Sequence, residues 1–235
     1  MTLSSAILAH LLFAYTLLIE PILGVRQYQK LKQLIQIDPY ARQRFYRRIL
    51  IIEWTLAVII MLILLSVPSP MRAIGLVIPQ FNSLNKGFLF GVTLGLLVST
   101  LALAVLVWKS PALAQRLRKM LESVAALLPA TQGERYTFAF VALTAGICEE
   151  LLFRGFLLFY LAYFFPALPQ WGAILISSAI FGLAHAYQGW KGVLGTGLIG
   201  LVLAFVYVLT GSLLPSMLLH ALIDLRILVL WQPTT

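Results

Sequence analysis

Charge is what this sequence has least of. Only 11% of its 235 residues are Asp, Glu, Lys or Arg, against about a quarter in an ordinary soluble domain. A single cysteine, Cys148, rules out an internal disulfide framework. Histidine occurs three times, as His10, His185 and His220, and never as HExxH, so the usual two-histidine zinc helix is missing. No Lys or Arg precedes the first apolar stretch, MTLSSAILAHLLFAYTLLIEPILG. That lack excludes the basic start of a cleaved signal peptide, and the stretch reads as a retained first span. Low-complexity tracts, obvious repeats and a separate soluble domain are also missing.

What fills the chain is hydrocarbon. Hydrophobic residues make up 61% of it, the composition of an integral membrane protein. The net charge of +9 would suggest nucleic acid in a soluble protein. Here the basic residues cluster between apolar runs, which fits loops facing anionic lipid headgroups and gives no reason to expect a nucleic-acid partner.

A membrane helix needs about 20 apolar residues. The expected spans are 3–24, 49–67, 87–108, 136–165, 170–188, 193–210 and 213–231, with 120–130 (MLESVAALLPA) too short to cross and expected in the interface. The fold class is therefore all-α, a polytopic transmembrane bundle of seven or eight helices. One membrane domain divides into N-terminal helices with basic loops, 1–135, and a C-terminal core, 136–231. Arg26, Lys30, Lys32, Arg42, Arg44, Arg47 and Arg48 fall in 25–48, and Lys109, Arg116, Arg118 and Lys119 in 109–119. By the positive-inside rule these loops are cytoplasmic and the N-terminus is outside. Gly87, Gly91 and Gly95 recur on one helix face, a spacing that favours close helix packing in lipid.

Against this background three polar groupings stand out. In CEELLFRG, Glu150 and Arg154 are four apart and can pair on a helix face, while Glu149 points about 100° away and stays free. In FGLAH, Phe181 and His185 share a face; a lone histidine there is more often a hydrogen-bonded core residue. In HALID, His220 and Asp224 are four apart, and a carboxylate can fix an imidazole tautomer. A buried salt bridge that sets helix register would explain the first grouping, and helix pairing the third. Ionisable groups inside a membrane are nonetheless functional by default. Together, Glu149, Glu150, Arg154, His185, His220 and Asp224 make a hydrolytic site in which carboxylate and imidazole activate water and a polar donor holds an oxyanion. His10 reads as structural, and Glu20 and Glu53 as interfacial.

EELLFRG, FGLAH and HALID resemble, in order and spacing, the EExxxR, FxxxH and HxxxN/D motifs of the CPBP intramembrane protease family. That family includes type II CAAX prenyl endopeptidases and bacteriocin-processing relatives. The resemblance spans about 136–228; the first 135 residues share only hydropathy with it. It implies an intramembrane endopeptidase, a hydrolase acting on a membrane-associated protein or peptide, with or without a lipid anchor. It further implies that Glu149 and His185 activate water, that His220 and Asp224 stabilise the oxyanion or orient the site, and that Glu150 and Arg154 organise the first motif. Asp224 stands where Asn is frequent. The family is described both as metalloproteases and as metal-free glutamate enzymes, so zinc on Glu149, His185 and His220 stays open. The compact chain suggests a prokaryotic inner membrane. Two other readings remain: an inert membrane scaffold that retains the site, and a proton-coupled transporter, against which no matching polar pattern occurs in the N-terminal half.

One geometric difficulty accompanies this reading. His185 is expected near the cytoplasmic end of its span, whereas His220 follows the opposite turn by a few residues. Gly189, Gly192, Gly195, Gly197 and Gly200 would allow a deep loop, leaving about 14 helical residues, or about 21 Å, between them.

Overall fold

A computed structural model describes residues 1–231, and every side chain within them except that of Leu84. All of the regular structure among the described residues is helical. Helix α1 spans Leu3–Leu34, α2 Ala41–Leu64, α3 Ser83–Lys109 and α4 Pro111–Met120. Helix α5, Gln132–Glu150, continues through a wide turn, Leu151–Phe156, into α6, Leu157–Phe164. Helices α7, Gln170–Ala184, α8, Trp190–Thr210, and α9, Leu213–Leu225, complete the core. Each of the seven expected spans falls on helix. Four helical stretches are long and apolar enough to cross a membrane: Leu3–Leu34, Asn85–Lys109, Trp190–Thr210 and Leu213–Leu230. Helix α2 and the α5–α6 rod match them in length but carry Glu53 and the Glu149–Glu150–Arg154 trio.

The chain departs from its sequence reading at Pro21. The apolar run set the first span at 3–24, and a proline inside a helix lacks the N–H that would bond four residues back. The helix runs on to Leu34 because a π-turn at Tyr15–Ile19 takes up the misfit, with the Glu20 N–H reaching the Tyr15 carbonyl. The supposed loop 25–48 shrinks to the short connection 35–40. Glu20 and Glu53 thereby sit in mid-helix.

Residues 120–130, expected to be too short to cross, form a short 3-10 turn, Glu122–Leu127, held against α2. Arg42 Nε donates to the Ala126 carbonyl at 2.9 Å and the Tyr46 hydroxyl to the Leu127 carbonyl at 2.5 Å. The Glu134 carboxylate pairs with Arg42 at 3.0 Å and accepts from the Ala130 and Thr131 N–H groups, closing a capping box with Thr131 that starts α5.

The glycines of α8 do not interrupt it. The helix is continuous over 21 residues, not the shortened piece expected, because its glycines serve packing. A Cβ on Gly182 of α7 would stand 2.6 Å from the Val193 carbonyl and 3.3 Å from the Gly197 backbone, so α7 and α8 touch main chain to main chain. Only Gly189 makes a turn, at φ +82°. Within this chain the stripe Gly87, Gly91, Gly95 packs against nothing: a Cβ there would meet nothing within 4 Å.

At the other end of α8, Gly211 adopts φ +61° and Ser212 caps α9. This corner is tied to the 68–82 connection. The Leu213 N–H donates to the Gly75 carbonyl at 2.8 Å and the Ser212 hydroxyl to the Val77 carbonyl at 2.5 Å. Helix α9 is thus fixed at its start. It lies so close to α5 that a Cβ on Gly146 would be 2.8 Å from the Ala221 Cβ and N and 2.9 Å from the Met217 carbonyl.

Gly146 is one turn before Glu150, and Ala221 follows His220, so this contact sets the spacing of the polar core. Gly146→Val is expected to force the helices apart and destabilise the protein by about 1–3 kcal/mol. Gly91→Ala, in open space, should leave the melting temperature unchanged. Thermal unfolding of both variants in detergent checks this.

Candidate active site

The site begins with a charge pair that is 0% exposed at both ends: Glu150 Oε1 lies 2.5 Å from Arg154 Nη1. Two ions taken out of water need partners for their polar atoms, and this pair has them for all but Glu150 Oε2 and Arg154 Nε. Arg154 Nη2 donates to the Gly200 carbonyl at 3.1 Å, and its Cζ sits 4.3 Å over the Phe181 ring. Gly200 makes room here, since a Cβ would crowd that Nη2 at 3.2 Å and the Phe181 ring at 3.0 Å. The helix is a π-turn where Arg154 lies, with the Leu157 N–H reaching back to Leu152 and the Phe153 carbonyl accepting from Ser177 of α7 at 2.7 Å.

The same Glu150 oxygen accepts from His220 Nδ1 at 2.8 Å. An ionised carboxylate only accepts, so Nδ1 carries the proton and Nε2 is turned into the cavity. His185 is oriented in parallel fashion: its Nδ1 lies 2.9 Å from the carbonyl of Phe181, one turn back on α7. Both histidines therefore present Nε2 to a single atom, Glu149 Oε2, at 3.8 Å from His185 and 4.0 Å from His220. That oxygen is buried and has no hydrogen-bond partner, although the side chain is 20% exposed. Asp224 Oδ2 lies 3.8 Å from His220 Nε2.

All six residues singled out in the sequence come together. Phe181 ties the groupings to one another, with its ring 4.7 Å from that of His185 and edge-on to His220 at 5.7 Å. His10 stands apart, hydrogen-bonded to Tyr160 at 2.6 Å.

Two residues were misjudged. Glu20 and Glu53, read only as interfacial, line the site. A cavity of about 150 Å³ holds Glu20, Glu53, Glu149 and His185 on its wall. A second, of about 320 Å³, is lined by Glu53, Glu149, His185, His220 and Asp224. The signal that would have found them is that a carboxylate in a membrane helix needs a reason wherever it sits, which the supposed helix ends hid.

Zinc ligands held tetrahedrally at about 2.0–2.1 Å are about 3.3 Å from each other. The 3.8 and 4.0 Å separations here are longer, and among the described residues no group of three His, Cys, Asp or Glu side chains is placed to hold a metal ion. These three residues as arranged do not fit the ion.

Removing one member of a buried ion pair strands the other, at a cost of roughly 3–5 kcal/mol. Arg154→Met should therefore lower thermal stability severely, and adding Glu150→Gln to it should recover a substantial part. A double-mutant cycle of melting temperatures measures the coupling; additive losses would show that the pair acts independently.

Residues 131–226 match the family model described as type II CAAX prenyl endopeptidase Rce1-like. No curated protein and no solved structure matches the chain. The matched segment starts at the cap of α5 and ends just beyond Asp224, so it encloses all three polar groupings and leaves out α1, α2 and α3. Through that segment, which is less than half of its length, the chain is similar to the Rce1-like type II CAAX prenyl endopeptidases.

Proposed function

We propose that this protein cleaves a peptide bond in a membrane-associated protein or peptide, with water activated between Glu149 and His185. The observation that carries this reading is the convergence of two anchored imidazoles on one unpartnered carboxylate oxygen. Separations of 3.8 and 4.0 Å are too long for direct hydrogen bonds and are spanned by one water making bonds of about 2.8 Å to each side.

In this reaction Glu149 accepts a proton as the water oxygen attacks the peptide carbonyl carbon. The carbonyl π electrons move to oxygen, forming a tetrahedral oxyanion. His220, protonated on both nitrogens, donates through Nε2 to that oxygen while Glu150 holds Nδ1. On collapse the C–N bond breaks and Glu149 returns its proton to the departing amine, giving a carboxylic acid and an amine. Asp224 is not the donor; it faces His220 at 3.8 Å and favours the orientation in which Nε2 points inward.

The pairing with Arg154 divides the labour between adjacent glutamates. Glu150 is fully buried and occupied, whereas Glu149 is reachable. A lipid-anchored substrate fits the family's activity and is tested by offering the same peptide with and without a prenyl group.

General base catalysis contributes about 10²–10⁴-fold. Glu149→Gln and His185→Ala, each folded in detergent, should thus lose at least about 100-fold in cleavage. Activity should survive dialysis against chelator, with metal content the same in wild type and both variants. About one zinc per chain, lost in both variants, would make these side chains ligands instead. Unchanged cleavage in Glu149→Gln would overturn the reading, and a folded wild type that cleaves nothing would favour an inert scaffold.

A further inference from the structure

The matched family segment, 131–226, leaves out two carboxylates that face its centre. Glu20 comes from α1 and Glu53 from α2, and both present a buried, unpartnered Oε2. Glu53 lies within Coulombic reach of Glu149, Asp224 and Glu20. The ion pairs among the described residues include none to Glu20 or Glu53. Arg154, the counter-charge in the protein's interior, is already taken by Glu150.

Uncompensated carboxylates in an apolar medium cost several kcal/mol each. Nothing in the Glu149–His185–His220 arrangement uses Glu20 or Glu53. Their cavity is also built differently from its neighbour. The 150 Å³ chamber has Tyr15 and Tyr28 on its wall, Leu23 and Ile52 along its sides, and His185 as its one basic group. Aromatic faces and an acidic end suit a guanidinium or ammonium, and aliphatic walls suit the methylene stem that carries it.

The two chambers meet at Glu149, His185 and Glu53, which line both. A peptide lying across Glu149 therefore places its residues on one side of the scissile bond toward His220 and Asp224, and those on the other side toward Glu20 and Glu53. We propose that the Glu20–Glu53 chamber is a specificity subsite that takes a Lys or Arg side chain of the substrate on one side of the bond to be cut. The proposal rests on the peptidase reading above for the direction in which the chain lies, but its binding chemistry is independent of turnover.

The test uses binding first. A fluorescent hydrophobic peptide carrying Arg, Lys, Gln or norleucine at one position, scanned along its length, is titrated onto full-length Glu149→Gln protein in nanodiscs of zwitterionic lipid. The Arg and Lys peptides should bind roughly ten-fold tighter than the neutral ones at one register. That preference should vanish when Glu20→Gln or Glu53→Gln is added, and return with Glu53→Asp. Equal affinities for charged and neutral peptides, including no measurable binding of any, would overturn the subsite. So would a preference that survives both glutamine variants.

The same peptides are then offered to wild type. Selective binding without cleavage would leave the subsite standing and remove the peptidase reading. Cleavage of charged and neutral peptides at equal kcat/KM, unaltered by Glu53→Gln, would do the reverse. Size-exclusion profiles of each variant separate lost selectivity from lost fold.

Discussion

The Glu150–Arg154 pair is the constraint around which the rest is arranged. Two full charges at 0% exposure can persist in a membrane core only if the protein supplies what water would have supplied. Four elements contribute: the π-turn carries Arg154, α8 offers the Gly200 carbonyl, α7 the Phe181 ring, and α9 the His220 imidazole. Each has to approach closely, and the close approaches explain the glycines. Gly200 makes room for the guanidinium, Gly182 brings α7 onto α8, and Gly146 brings α5 onto α9. The ion pair is thus less a source of stability than a specification of which helix faces must meet.

From that arrangement comes the contrast between neighbouring glutamates. Adjacent residues on a helix point in different directions, so one can be consumed in structure while the next is left open. Here the structural one also anchors the histidine that faces the open one. The wide turn just beyond Glu150 has a counterpart just before Glu20. Both π-turns flank a membrane carboxylate, in keeping with the tendency of such turns to occur at functional positions. The N-terminal helices, outside the matched family segment, supply Glu20 and Glu53 and so finish the wall of the site.

Much of this could be read from the letters. CEELLFRG, FGLAH and HALID were informative because charge is so scarce here that each polar residue needs an explanation, and the helical period says which neighbours share a face. The Glu150–Arg154 pair and the three-helix gathering were legible on that basis. What was hidden depended on tertiary partners. The first helix was expected to end at residue 24 because its apolar run ends there, and its polar continuation has no such mark. The glycines of α8 read as a break because the sequence does not show that α7 lies against them. Gly87, Gly91 and Gly95 have the right spacing for packing yet face open space. Glu20 and Glu53 were lost as a consequence of misplaced helix ends.

The two histidines are held by different kinds of partner. His220 owes its orientation to the side chain of Glu150, which substitution can remove. His185 is held by the main-chain carbonyl of Phe181, which persists whatever residue occupies position 181 as long as α7 stays helical. Over many generations of drift these two halves of the centre would age unequally. The α7 half is robust to changes of side chain and sensitive to helix breakers, while the α9 half survives only if Glu150 and His220 change together or not at all.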